Sequence, residues 1–155
     1  MMTLSTNQEL IQSFKDLVIL YNQLEQTTLK FGTDTELHPA EIDTIDVIGK
    51  YPFSNLTSLA NYQGVTRGTA SKMIQRLEKK QMIIKQKAQN SDKELQITLT
   101  EKGKIARQKH QEYVFEIDKK IKSLYDPLPD EFLAQLLISV KQTKALLKNI
   151  IQQRQ

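Results

Sequence analysis

The sequence predicts a mainly α-helical protein with a small β-hairpin: a winged helix-turn-helix flanked by N- and C-terminal helices. Three observations lead to this fold class. Long segments at both ends of the 155-residue chain carry apolar residues at helical spacing. Two short helical segments between them are separated by a tight turn at Gly64. Directly afterwards the apolar period changes from 3.6 to 2, as in a two-stranded hairpin.

The first two helices are predicted from their apolar spacing and from the residues that bound them. A helix is expected over residues 8–31, and the glycine at position 32 ends it. The second helix begins at Pro39, since proline suits the first helical turn, and Gly49 with Pro52 is expected to close it.

The third and fourth helices form the predicted helix-turn-helix. "SNLTSLANYQG" starts with a capping residue, Ser54 or Asn55, and Gly64 ends it. Thr66 is expected to cap the fourth helix, which lies in "GVTRGTASKMIQRLEKKQMI". Its apolar residues fall on one stripe, which leaves Gly68 and Lys72 on the opposite, exposed face.

The hairpin and the last two helices follow. "MIIKQKA" and "ELQITLT" alternate as strands do, and "QNSD" between them is a turn signal. Thr100 is expected to cap a long helix that runs to about residue 125. A last helix is expected over residues 129–152. The apolar stripes on the long terminal helices suggest that they pair with a second copy of the chain.

The fourth helix carries the residue types of a DNA-recognition helix. Its first residues are small, so that the helix fits a major groove about 12 Å wide, and its hydroxyls and cations can contact phosphates or base edges. A glycine on the exposed face lets the backbone approach DNA closely. The hairpin lysines are expected on the DNA backbone. The predicted DNA-binding residues are Thr66, Arg67, Gly68, Thr69, Ser71, Lys72, Arg76, Lys87 and Lys93.

Charge is distributed as this interpretation requires. The whole chain carries +4, but residues 63–93 hold eight Lys or Arg against two acidic residues, a local net charge of +6. Such a concentration is typical of a surface that binds a polyanion. There is no membrane-length apolar run and no signal peptide, so a cytoplasmic location without membrane contact is expected.

Other classes of function have little support in the sequence. The absence of cysteine excludes disulfides, thiol nucleophiles and thiolate metal sites. Of the two histidines, His38 is expected to cap a helix and His110 to face solvent. There is no phosphate-binding glycine loop and no metal-ligand spacing. We therefore expect no enzyme activity, no cofactor and no metal.

Three motifs resemble the multiple antibiotic resistance regulator (MarR) family: "LHPAEIDTIDVI", "LANYQGVTRGTASKMIQRLEKKQMI" and "LQITLTEKGK". The resemblance implies a homodimeric transcriptional regulator, more often a repressor, on a pseudo-palindromic operator in double-stranded DNA. It implies dimerisation by residues 1–36 and 101–155 and DNA binding by residues 37–100. Family members usually respond to a small effector bound between these two parts, so such a ligand is a further partner that the resemblance implies.

The chain departs from the family pattern at three places. Ser91 and Lys93 stand where family wings often carry Asp and Arg, and lysine lacks arginine's planar fork. Gln81 replaces a frequent glycine, and Gln63 a usual leucine, which would loosen the packing of the third helix. The alternative function is a winged-helix module that binds a protein partner and no DNA. That module would need an exposed apolar patch, and its binding would show no steep dependence on salt.

Overall fold

The computed structural model of the chain describes residues 5–88 and 91–154, and at residues 25 and 91–94 it describes the backbone only. The elements are α1 (Thr6–Glu25), α2 (Pro39–Lys50), α3 (Leu56–Gln63), α4 (Arg67–Lys79), β1 (Ile83–Ala88), β2 (Ser91–Leu99), α5 (Glu101–Tyr125) and α6 (Asp130–Gln153). They occur in the order and number that the sequence predicts. The chain divides into two compact units, one ending at Glu112 and one beginning at Tyr113.

Helix α1 is shorter than its predicted span of 8–31. It begins with a capping box, in which the Ser5 hydroxyl accepts from the Gln8 backbone N–H and the Gln8 side chain accepts from the Ser5 backbone N–H. It ends at Glu25, because Leu29 pairs with Leu37 in a short antiparallel bridge instead of continuing the helix. Each leucine accepts the other's backbone N–H, at 2.9 and 3.3 Å.

Helix α2 starts as predicted and ends at Lys50, between the two residues expected to close it. His38 is its N-cap residue, and the backbone N–H of His38 donates to the Glu41 carboxylate at 2.8 Å. Gly49 itself lies in the last turn of the helix. A Cβ atom at Gly49 would collide with the side chain of Arg107, so this glycine gives a residue of α5 room to pass.

One hydrophobic core holds α2, α3, α4 and the hairpin together with the start of α5. Its fully buried members are Leu37, Ile42, Ile45, Ile48, Leu59, Ile74, Leu77, Met82, Ile83, Ile97 and Ala106. Gly103 lets α5 start against this core, because a Cβ there would collide with the carbonyl oxygen of Met82. The helix-turn-helix is thus fixed to both the hairpin and α5 by burial of apolar side chains.

The hairpin is antiparallel. Its register pairs Ile83 with Leu99 and Lys87 with Leu95, and the register shifts between Lys87 and Ala88. Residues 89 and 90 of the predicted turn lie outside the described residues, and Ser91 already belongs to β2.

Helix α5 begins as the sequence predicts. The Thr100 hydroxyl accepts the backbone N–H of Gly103 at 3.0 Å, which caps the helix. The loop before α2 is tied to α5 by an ion pair between Lys102 and Asp34, 2.6 Å long. The hydrogen bond from Lys102 lowers the pKa of Asp34 below its ordinary value, with a smaller effect from Thr35. None of the helices in residues 5–88 and 91–154 combines the length and apolarity needed to cross a lipid bilayer.

Candidate nucleic-acid interface

The turn between α3 and α4 fixes where the candidate recognition helix begins. Asn55 caps α3 by accepting the backbone N–H of Ser58 at 2.9 Å. Gly64 then adopts the left-handed conformation (φ 65°, ψ 31°), which glycine enters without the strain of a side chain. Its N–H and that of Val65 donate back to Asn61 and Ala60 at 3.1 and 3.0 Å. The predicted tight turn at Gly64 is confirmed.

Thr66 and Thr69 form the leading edge of α4. Thr66 is the N-cap residue, as predicted, and its hydroxyl oxygen accepts the backbone N–H of Thr69 at 3.2 Å. The two hydroxyl oxygens are also 2.9 Å apart, so one of them donates to the other. Whichever does, the second hydroxyl keeps its hydrogen for an outside acceptor. Both side chains are exposed, so a phosphate or a base edge can reach that donor.

Helix α4 has two chemically distinct faces. Ala70, Ile74 and Leu77 are at most 2% exposed and belong to the buried side. The exposed residues on the helix and its cap include five predicted DNA-contacting residues: Thr66, Arg67, Gly68, Thr69 and Lys72, with Arg76 one turn further on. Ser71 is half-buried at the boundary between the faces. The fold therefore brings all seven predicted residues of this helix to one continuous surface or its edge.

Gly68 leaves an open place on this surface. Apart from its chain neighbours and the backbone of its own helix, the nearest heavy atom of the described residues to a Cβ built at Gly68 is the Thr66 hydroxyl oxygen, 4.0 Å away. Packing within the protein therefore does not require glycine here. A close approach by another molecule is a physical reason for it.

The cations on α4 are not used up by the fold. Within the described residues, Arg67, Lys72 and Arg76 make no ion pair, whereas two neighbouring lysines do. Lys80 reaches Glu41 of α2 and Lys85 of the hairpin reaches Glu78, each at 2.6 Å. Lys80, just after α4, and Lys85, on the hairpin, thus hold the fold together, whereas cations on the exposed face of α4 remain available to phosphates.

The hairpin contributes less that can be described. Lys87 is exposed on β1. The backbone of Lys93 lies in β2, but its side chain is outside the described residues, as is that of Ser91. Contact between the hairpin and DNA therefore stays a prediction.

His110 was wrongly predicted to face solvent. Its ring Nδ1 lies 2.5 Å from a carboxylate oxygen of Asp46 in α2, and the ring meets Phe31 edge-on at 5.2 Å between centroids. The Nε atom of Arg107 is 3.3 Å from the other Asp46 oxygen. Residue spacing does not reveal this cluster, because Arg107 and His110 are 61 and 64 residues from Asp46 and meet it only once α5 packs on α2.

The described residues include no group of three or more His, Cys, Asp or Glu side chains arranged to hold a metal ion. A cleft of about 400 Å³ lies within the first compact unit, between the end of α2, β2 and the first turns of α5. Its lining includes Phe53, Leu99, Lys104 and Arg107.

Solved structures of other proteins share this architecture. FabT of Streptococcus pneumoniae, crystallised in complex with DNA, has a TM-score of 0.65 at 22% identity, over 93% of this chain and 96% of that one. ZitR of Lactococcus lactis, also in complex with DNA, gives 0.69 at 19% identity, over 96% and 99%. A multiple antibiotic-resistance repressor of Listeria monocytogenes gives 0.56 at 16% identity, over 96% and 99%. No protein-family model and no curated protein matches the sequence.

Proposed function

We propose that this chain, which has the fold of the MarR family regulators, is a DNA-binding transcriptional regulator. The observation that carries the proposal is the exposed face of α4. It presents hydroxyls, a glycine and cations, among them Arg67, Lys72 and Arg76, that make no ion pair among the described residues. A helix that had only to be stable would not need this combination, whereas a helix entering a major groove does.

Seven of the nine predicted residues have an assigned contact in this function. Arg67 and Lys72 reach guanine acceptors or phosphates from the leading turns, and the threonine pair offers a hydroxyl donor and methyl groups for thymine. Arg76 contacts phosphates further along the helix. Lys87 and Lys93 of the hairpin contact the flanking backbone.

The regulator acts as a homodimer on a pseudo-palindromic operator. Support comes from α1, where Leu17, Val18 and Leu20 are 56–61% exposed. In the second compact unit no described residue of α6 is buried, and Leu124 at the end of α5 is 73% exposed. Apolar surface on this scale is typical of an association interface. We assign dimerisation to residues 1–36 and 101–155, and DNA binding to residues 37–100.

Repression with release by a small effector is the regulatory mode that we propose. The cleft in the first compact unit supports it, since its lining includes the apolar side chains of Phe53 and Leu99 as well as Lys104 and Arg107. Such a lining suits a small anion with an apolar body. A ligand in this cleft would contact residues of both α2 and α5.

The proposal predicts specific, salt-dependent binding that Arg67 supports. The probe is a labelled duplex from the region upstream of the chain's own gene, against a scrambled duplex, read by fluorescence anisotropy. Wild type should bind with a Kd near 10⁻⁸ M at physiological salt, and roughly 10³-fold more weakly when salt rises from about 50 to about 200 mM. Arg67→Ala should weaken specific binding by about 1–3 kcal/mol and relax specificity.

Lys30→Ala is the matched control, because it removes one exposed cation from the loop after α1 and leaves α4 intact. It should bind like wild type. Weak binding to both duplexes without a salt dependence would contradict the proposal and favour the alternative, a winged-helix module that binds a protein. Equal affinities for wild type and Arg67→Ala would contradict the role given to α4.

A further inference from the structure

Gln63, the last residue of α3, is tied to α2. Its side-chain amide nitrogen donates to the hydroxyl oxygen of Thr44, 2.8 Å away. Thr44 is 1% exposed, and its hydroxyl donates in turn to the carbonyl oxygen of Ala40 at 2.7 Å. Gln63 was expected to loosen the packing of α3, but this bond instead fixes the end of α3 to α2.

The hydroxyl oxygen of Thr44 can accept a hydrogen bond from a donor on α3. The one hydroxyl hydrogen of Thr44 is already given to Ala40, so the oxygen can only accept from a further partner. The amide of Gln63 supplies that N–H. The accepting oxygen belongs to a residue that is 1% exposed, and the donating side chain of Gln63 is half-buried.

A displacement of the end of α3 at Gln63 would also displace the start of α4, because the connecting turn is short. Only Gly64, Val65 and Thr66 separate Gln63 from the first residue of α4. The backbone N–H groups of Gly64 and Val65 are bonded into the last turn of α3, so the turn and the end of α3 behave as one body. The orientation of the end of α3 therefore sets the position of Thr66 and of the leading edge of α4.

The leading end of α4 needs this support more than the other end does. A cleft of about 350 Å³ lies between α2, α3 and α4, and its lining includes Thr44, Gln63 and Thr69. Close packing is therefore missing on that side of the leading end. At the opposite end, Lys80 is held by Glu41 and by the carbonyl oxygen of Glu36, at 2.6 and 2.8 Å. Helix α4 is thus tied to α2 at both ends, through Lys80 and, across the turn, through Gln63.

We propose that Gln63 is a positioning residue for base recognition: through Thr44 it holds the leading turn of α4 where its side chains meet base edges. This inference rests on the proposed function. Contacts to phosphates come from long, flexible side chains and tolerate a small displacement of the helix, whereas hydrogen bonds to bases require accurate placement. Loss of the tie lowers specific binding and leaves non-specific binding nearly unchanged.

The test compares specificity, measured as the ratio of two affinities. The full-length protein first selects a duplex from a random DNA library, and anisotropy then gives the Kd for this duplex and for a scrambled one. Gln63→Leu keeps the size of the side chain and removes its donor, so the ratio should fall about fivefold to tenfold, the effect of losing one hydrogen bond. Gln63→Met, a second variant of similar size, should behave alike.

Thr44 provides the controls. Thr44→Ser keeps the accepting hydroxyl and should retain the wild-type ratio, whereas Thr44→Val should lower it as much as Gln63→Leu does. Because the two side chains act through one bond, the double variant Gln63→Leu/Thr44→Val should be no worse than either single variant. A purely structural role predicts a lower melting temperature with an unchanged ratio, and that result would overturn the inference.

The two levels of the proposal fail differently. If the wild-type protein selects no sequence from the library, the proposed function is wrong and this inference falls with it. If the wild type selects a duplex and Gln63→Leu binds both duplexes with the wild-type ratio, only the inference is wrong.

Discussion

At the scale of single residues, the backbone conformation at Gln81 explains a feature that the sequence alone showed only as a departure from a pattern. Gln81 follows α4 with φ +59°, in the left-handed region where a Cβ atom is unfavourable. Its backbone carbonyl oxygen accepts a hydrogen bond from the Thr100 hydroxyl at 2.7 Å. A glycine would adopt this conformation without strain, which is a physical reason for the glycine that the family resemblance leads one to expect at this position.

The variant Gln81→Gly should therefore be more stable than wild type, by roughly 0.5–1 kcal/mol, because relief of the left-handed strain exceeds the added freedom of the unfolded chain. Chemical denaturation monitored by circular dichroism measures the change. Gln75→Gly is the matched control: Gln75 is exposed inside α4, and glycine there should lower stability by about 1 kcal/mol. Destabilisation by both changes would refute the strain at Gln81.

Residues whose roles depend on nearby sequence could be predicted, and residues with distant partners could not. Thr66 and Thr100 cap helices through bonds to residues three positions away, so their roles are visible in the sequence. Glu41 and Lys80 are 39 residues apart and Asp46 and His110 are 64 apart. Their contacts arise from tertiary packing, for which hydrophobic periodicity carries no signal.

At the scale of elements, local sequence signals mark the helix boundaries that were predicted correctly, whereas a contact with a later segment sets the boundary that was not. The starts of α2, α4 and α5 were predicted because proline, threonine and a capping pattern mark them locally. The end of α1 was missed, since the apolar spacing continues past Glu25 while Leu29 leaves the helix to pair with Leu37. The two threonines between Glu25 and Leu29 have a weak helix propensity. Pairing of Leu29 with a residue eight positions away is therefore favoured over continuing the helix.

Helix α4 offers an element-scale test in which stability and binding change in opposite directions. Gly68→Ala should raise stability by about 0.5–1 kcal/mol, because alanine is the better helix former and the described residues leave room for its Cβ. The same change should weaken binding to a specific duplex, since the methyl group occupies the proposed closest approach to DNA. Thermal unfolding and anisotropy on the same sample measure both.

Gly64→Ala separates this effect from a general response to losing a glycine. Gly64 has φ +65°, so alanine there should reduce stability. If Gly68→Ala binds specific DNA as tightly as wild type does, Gly68 does not mark a close approach to DNA.

At the scale of the whole molecule, exposed apolar surface is the main feature. Several large apolar residues of α1 are more than half exposed, among them Leu10, Ile11, Leu17 and Leu20. They extend over a broad arc of the helix, wider than the contact with one neighbouring helix would cover. The stripe was visible in the sequence, but its exposure was not, because helical spacing alone does not tell whether an apolar face is covered within the same chain.

The proposed homodimer predicts a mass near twice 17.9 kDa by light scattering at micromolar concentration. Leu17→Glu should shift the mass towards that of the monomer, because a carboxylate would be buried without a partner in the interface. Gln23→Glu introduces the same charge on the same helix at an exposed polar position and should leave the mass unchanged. A wild-type protein that is monomeric under these conditions would rule out the dimer.

The exposed apolar surface of α1 also affects how steeply promoter occupancy by such a regulator changes with its concentration. For the proposed dimer, mass action makes the concentration of paired chains rise with the square of total chain concentration, as long as most chains are single. Doubling synthesis in that range would raise the DNA-binding form about fourfold. Occupancy of a regulated promoter would then change over a narrow range of expression. The leucines of α1, which are not proposed to contact DNA, would thus set the chain concentration at which the promoter becomes occupied.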